Sequence, residues 1–153
     1  AQNAYIMTTL MQDVIRTGSG QRAKALQRQD IAGKTGTTNE QKDAWFTGFN
    51  PKVATSVWVG FDQPQTLGRR EVGGRAALPI WIDYMRVALA QIPETPFAMP
   101  EGIVSVPIDP KTGQAVSADT PGALFEVFRE PFAPQIPSED QRALEALSNE
   151  LFQ

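Results

Sequence analysis

The residues that could do chemistry gather in one run, Asp30-Ile31-Ala32-Gly33-Lys34-Thr35-Gly36-Thr37-Thr38. A lysine ammonium is a compact charge that attracts a substrate carboxylate. Thr35 and Thr37 add hydroxyl donors two residues apart, so on a strand both project from one face. Gly33 and Gly36 leave room for a ligand backbone to approach closely. At a sheet edge, free N–H groups would also pair with an extended peptide. The N–H of Thr37 would then suit an oxyanion hole, where one donor is worth roughly 3 kcal/mol. The candidate binding residues are Lys34, Thr35, Gly36 and Thr37, with Lys34 and the Thr37 N–H as candidate catalytic groups.

A second Lys-Thr-Gly, at Lys111-Thr112-Gly113, shows that three letters recur by chance. It follows Asp109-Pro110, a turn sequence, and Gln114 stands where the first copy has Thr37. It is expected to form a hairpin turn and to carry no chemistry.

The rest of the sequence limits what chemistry is possible. The chain has no histidine and no cysteine. Ser-His-Asp catalysis, His-based metal sites, thiolates and disulfides are therefore outside its reach. No cofactor and no metal are expected, and acid-base work falls to Lys, Asp, Glu or Tyr. Asp43 and Asp62 read as strand-end and loop residues rather than a catalytic pair. Arg69, Arg70, Glu71 and Arg75 read as a charged loop, most simply a solvated one, with a place bordering the substrate cleft as the alternative. Trp45, Trp58 and Trp81 read as core residues rather than a binding platform.

The elements that must position the run follow from period and punctuation. Tyr5, Ile6, Leu10, Met11, Val14 and Ile15 predict a helix over 2–16, with Asn3 as N-cap and Gly18 and Gly20 past its end. Residues 21–28 predict a polar, helix-like surface segment. Three strands are expected, at 31–38, 44–49 and 53–61, joined by turns at 39–42 and at Asn50-Pro51-Lys52. Such short connections make an antiparallel meander.

A loop over 62–75 should lead into an apolar helix over 76–90, with Pro79 in its first turn and Leu78, Trp81, Ile82, Met85, Val87, Ala88 and Leu89 on one wide face. Beyond Ile92, prolines 93, 96, 100, 107 and 110 predict an extended connection. Val104, Val106 and Ile108 predict a short strand, with its return through Ala115 and Val116. Ser138 with Gln141 caps an expected small amphipathic helix running to Leu151. The predicted domains are thus 1–92 and a proline-rich extension over 93–153.

At 153 residues, 41% hydrophobic and 20% charged, the chain has the composition of a folded domain with a core. A net charge of −3 argues against a nucleic-acid partner. No apolar stretch approaches the roughly 20 residues of a membrane helix.

Four blocks in order carry a family resemblance: 31–38; Asp43-Ala44-Trp45-Phe46-Thr47-Gly48-Phe49-Asn50-Pro51; Trp58-Val59-Gly60-Phe61-Asp62; and Gly73-Gly74 with 77–89. Together they resemble the end of the transpeptidase domain of class A (bifunctional) penicillin-binding proteins, most closely over residues 1–92. The fold this implies is α/β (α+β), part of the serine β-lactamase and penicillin-binding transpeptidase fold, with a three-strand meander, packed helices and a proline-rich extension.

The activity it implies is peptidoglycan D,D-transpeptidation through a serine acyl-enzyme, inhibited by β-lactams. Lys34, Thr35 and Gly36 match the family's third motif, the wall that binds the terminal carboxylate of a stem peptide or β-lactam; Thr37 N–H would supply an oxyanion donor. No serine here has a lysine three positions on, and no Ser-x-Asn occurs. The implied partner is therefore the rest of the transpeptidase domain, with those two motifs, on another polypeptide segment. An anchor outside this chain would hold the enzyme at the periplasmic face of the bacterial inner membrane. A D,D-carboxypeptidase or β-lactamase of the same fold, or a non-catalytic penicillin-sensing module, are the alternatives.

Overall fold

The first helix begins without the cap its sequence offers. In the computed structural model, which describes residues 1–136, α1 spans Gln2–Arg16 with Ala1 at its N-cap, so Asn3 lies inside the helix and makes no cap bond. Its apolar stripe is only partly covered: Ile15 is buried, while Met7 and Leu10 are exposed. The helix ends as Thr17 and Gly18 N–H groups both donate to Asp13 O, at 2.9 and 3.0 Å. A Cβ on Gly18 would press on the Val14 backbone, so glycine permits the tight exit. A 3-10 turn, Gln21–Leu26, follows and buries Ala23.

Three strands then form one antiparallel sheet in the order β1-β2-β3, with β1 Ala32–Thr37, β2 Asp43–Phe49 and β3 Ala54–Gly60. The meander expected from the short connections is the one observed. The β2–β3 turn is built by Asn50, whose Oδ1 accepts the N–H groups of Lys52 and Val53 at 3.0 and 2.7 Å. This is an Asx turn, the local bond that makes Asn favourable there.

α2 spans Gly73–Ala88 and packs its inner face on the sheet. Two expectations fail here. The helix starts three residues earlier than expected, so Pro79 sits past the first turn. The carbonyl that loses a partner belongs to the exposed Arg75. Val87 is 78% exposed and belongs to the outer face, whereas Leu78, Trp81 and Met85 are fully buried. Trp81 meets Phe46 of β2 edge-on, with ring centroids 4.9 Å apart. Its Nε1 donates to Thr55 O at 3.2 Å. Gly48 makes room for it: a Cβ there would lie 2.6 Å from the Trp81 ring.

A second compact unit starts at Met99. Its ladder joins β4 Ile103–Ile108 to β5 Leu124–Arg129. The expected return through Ala115 and Val116 is reduced to a single bridge, Ile108 to Ala115. A second turn, in which Thr120 N–H donates to Ser117 O at 3.0 Å and Gly122 has φ +84°, carries the chain on to the true partner. Leu124-Phe-Glu-Val-Phe-Arg129 lacks the period-2 alternation of a half-buried strand, and its two phenylalanines and valine were the only strand signal, which the nearer turn outcompeted. The helix expected over 138–151 lies outside the described residues.

Candidate active site

β1 pairs only with β2, which leaves its other side a free edge among the described residues. Antiparallel ladders alternate between residues that exchange hydrogen bonds with the neighbour and residues whose N–H and C=O point away. Thr38 N–H donates to Asp43 O at 3.1 Å. Counting back along the register puts Gly36 (opposite Trp45) and Lys34 (opposite Thr47) in the bonded class. The backbone groups of Thr35 and Thr37 therefore face outward from the edge. Lys34 marks one of them independently: its Nζ reaches round the edge and donates to Thr35 O at 2.8 Å, and lies 3.5 Å from Thr35 Oγ1.

The side chains divide between the two faces. Thr35 lies opposite Phe46, on the face that α2 packs, and Thr37 shares that face. Lys34 and Gly36 lie opposite Thr47 and Trp45 on the other face. Lysine and threonines thus meet only because the strand is an edge: a four-carbon stem can bend round it, as it could not in a central strand.

Each threonine hydroxyl is held by a residue distant in sequence. Ser19 Oγ lies 2.7 Å from Thr35 Oγ1. Gly73 N–H, in the first turn of α2, donates to Thr37 Oγ1 at 3.0 Å. Because Thr37 Oγ1 accepts that hydrogen, its own hydrogen is free to donate elsewhere. Beside the two hydroxyls an open cleft of about 420 Å³ is lined by Ser19, Arg22, Thr35, Thr37, Gly74 and Arg75, with Val72.

The glycines serve the fold more than a ligand. A Cβ on Gly73 would collide with the carbonyls of Gly36 and Trp45, so only glycine lets α2 begin directly on the β1–β2 backbone. Gly33 was expected to admit a ligand. A Cβ there would instead meet the buried Phe46 ring at 2.7 Å, so its missing side chain makes room for the core. Sequence reasoning missed Ser19 and Arg22, and placed Arg75 in a loop that was either solvated or bordering the cleft; Arg75 lies in α2, not a loop, and lines the cleft. The adjacent pair Gly73-Gly74 was the available signal, since two glycines opening a helix cost stability unless a close approach requires them.

The other candidates take structural places. Trp81 is core, as expected, but Trp45 and Trp58 are 42% and 44% exposed on the sheet face away from α2, their rings 6.3 Å apart. Asp43 is a strand-end residue, accepting from Trp58 Nε1 at 2.9 Å. The Lys111 copy forms its hairpin turn: Gly113, at φ +73°, donates its N–H to Asp109 O at 2.8 Å, and Asp109 Oδ1 accepts Lys111 N–H at 2.9 Å.

Just before β1, Asp30 is buried and gripped by Arg28 through Nε and Nη2 at 2.8 and 2.7 Å. Its Oδ2 also accepts Thr95 N–H at 3.0 Å and, at 3.4 Å, Asn50 Nδ2. Burial opposes ionisation, but the Arg28 and backbone hydrogen bonds with the guanidinium charge outweigh it, and the carboxyl is held below its ordinary range. The Arg28 guanidinium is correspondingly raised, chiefly by its hydrogen bonds to Asp30. This pair ties the approach to β1 to the segment after α2, which Arg28 also bonds at Ile92 O, at 2.8 Å.

Fold and register together define a class, an antiparallel sheet with a Lys-Thr-Gly-Thr edge and a helix seated on it. Residues 1–86 match the family described as Penicillin binding protein transpeptidase domain. The chain belongs to that family. Among similar proteins, Penicillin-binding protein 1A of Pseudomonas aeruginosa is 61% identical over 129 residues, covering 84% of this chain and 16% of that protein. Penicillin-binding protein 1A of Neisseria gonorrhoeae is 58% identical over 104 residues, 68% of this chain and 13% of the relative. The crystal structure of Penicillin-Binding Protein 1A from Haemophilus influenzae superposes with a TM-score of 0.81 at 34% identity, over 90% of this chain and 21% of that one. The chain therefore spans less than a quarter of each of these relatives.

Proposed function

We propose that this chain supplies the Lys-Thr-Gly wall of a peptidoglycan D,D-transpeptidase. The observation that carries the reading is the free edge of β1. There the outward N–H and C=O of Thr37, the Thr35 and Thr37 hydroxyls and the Lys34 ammonium all border one open side of the sheet. An extended peptide laid along this edge would pair with the outward groups as an added strand. Its terminal carboxylate would take the Thr35 and Thr37 hydroxyls and the charge of Lys34. Its scissile carbonyl would then receive the Thr37 N–H as one oxyanion-hole donor.

Residues 1–92 would be the C-terminal portion of the transpeptidase domain, with 93–153 as its extension. The nucleophile would be a serine on a segment outside this chain, within Ser-x-x-Lys, with a Ser-x-Asn nearby. Its hydroxyl oxygen adds to the penultimate D-alanine carbonyl of one stem peptide, and its proton passes to a base. The terminal D-alanine leaves with a proton as its amine. An amine of a second stem peptide then displaces the serine oxygen to form the cross-link. A β-lactam would acylate the same serine. The parent enzyme would act at the periplasmic face of the inner membrane on an anchor outside this chain; no described helix is long and apolar enough to cross a membrane.

Labelling the full-length protein with a fluorescent penicillin, followed by peptide mapping, tests the reading. The label is expected outside residues 1–153, and Lys34→Ala is expected to slow its attachment. A label within this chain would overturn it.

A further inference from the structure

We infer that Arg22 and Arg75 form an anion-recognition subsite beside the Thr35–Thr37 edge, one that selects peptide substrates carrying a second carboxylate upstream of the terminal one. The inference rests on the edge reading above and adds a specificity device to it.

Arg22 comes from the 3-10 turn after α1, and Arg75 from the first turn of α2. They are far apart in sequence, yet both line the 420 Å³ cleft that holds the Thr35 and Thr37 hydroxyls. No acidic side chain lines that cleft. Among the described residues, the ion pairs are those of Arg16, Arg28, Lys42 and Arg86, so neither cleft arginine is neutralised by a neighbour. The surface offers acids elsewhere, since the chain is net negative at −3. The positive end of the 16-residue α2 opens onto the same place, with Gly74 exposing its backbone where a side chain would press on Ser19 O. Two unpaired guanidiniums and a helix N-terminus around one concavity make a positive field that low-dielectric walls focus on an incoming anion. The terminal carboxylate is already served by Lys34 and the threonines. The arginines therefore have a second anionic group to meet, on the same peptide, and their planar forks suit a carboxylate.

The test compares two acyl-donor peptides with the same D-alanyl-D-alanine terminus, one with a free side-chain carboxylate upstream and one with that group amidated. The full-length enzyme is expected to favour the free acid in kcat/KM. Arg22→Gln or Arg75→Gln should lower the acid-over-amide ratio roughly three-fold each, as exposed charge pairs allow, chiefly through KM. The double variant should lower it further, and added salt should compress the ratio in the unsubstituted enzyme. No preference in that enzyme, or an undiminished ratio in the double variant, overturns the inference. Penicillin labelling of Lys34→Ala is the separate arm: unchanged labelling there overturns the edge reading, whatever the arginine ratio shows.

Discussion

Gly73 N–H donates to Thr37 Oγ1 at 3.0 Å, and so the first peptide of α2 orients a hydroxyl on the free edge of the sheet. The contact exists only because Gly73 has no Cβ, which would strike the carbonyls of Gly36 and Trp45. One glycine thus joins helix, sheet and edge. Thr37→Ser keeps the acceptor and the donor and should retain most penicillin acylation in the full-length protein. Thr37→Val removes both and leaves the Gly73 amide without its partner, a loss of about 1–3 kcal/mol. A lowered melting temperature and a slowed acylation rate together would be the expected readout; equal behaviour of the two variants would deny the hydroxyl its role.

The two Lys-Thr-Gly copies separate cleanly by experiment. On the proposed reading Lys34→Ala would remove a charge-assisted contact to the substrate carboxylate, and acylation by fluorescent penicillin should slow by roughly 10- to 100-fold, the range of hydrogen bonds to charged groups. Lys111→Ala touches an exposed hairpin turn and should leave the rate unchanged. Stopped-flow labelling of both variants decides; similar losses would mean that the copies were assigned wrongly.

The buried Asp30–Arg28 pair is expected to be a stability determinant rather than a catalytic one. Asp30→Asn leaves a desolvated guanidinium without its counter-charge, which costs about 3–5 kcal/mol. Urea denaturation at neutral pH should show it as a lowered midpoint.

The pH dependence of that loss has a defined sign. The folded-state pKa of Asp30 lies below its ordinary value of 3.8. Its contribution is therefore fully present above the unfolded pKa and declines as pH falls from about 4 through the folded pKa. The gap between wild type and Asp30→Asn should narrow on acidification over that window and stay constant from pH 5 to 7. A gap that widened in acid would show that the carboxyl is not held ionised.

Trp81 is the core residue with most to lose. It is fully buried, meets Phe46 edge-on and donates to Thr55 O. Trp81→Ala should destabilise the domain by about 3–5 kcal/mol, and calorimetry would detect it. Val87→Ala, on the exposed face of the same helix, should change stability little.

Much of this was legible in the chain. The strand meander announced itself through β-branched runs and the Asn50-Pro51-Lys52 turn, because period and turn chemistry are local. The Lys34–Thr37 edge was legible through its residue types, and the Lys111 turn through Asp109-Pro110. What failed was where a distant contact overruled a local signal. Asn3 offered a cap and was passed over. Val87 looked like core and is the most exposed large apolar residue of α2. Ala115 promised a return strand that Leu124–Arg129 supplies instead. Trp45 and Trp58 read as core, yet sit on the sheet face that α2 does not cover.

The sequence by itself determined the element types, their order and the identity of the groups on β1, since each depends on neighbours within a few residues. It also carried the family, because four spaced blocks agree in order. Only the tertiary structure decided which side of β1 is free and what gathers beside it. Ser19 reaches Thr35 across 16 residues, Gly73 reaches Thr37 across 36, and Arg22 and Arg75 flank one cleft. No local period encodes such meetings. They arise when burial of Trp81, Phe46 and Leu78 seats α2 on the sheet, and its first turn arrives at the edge.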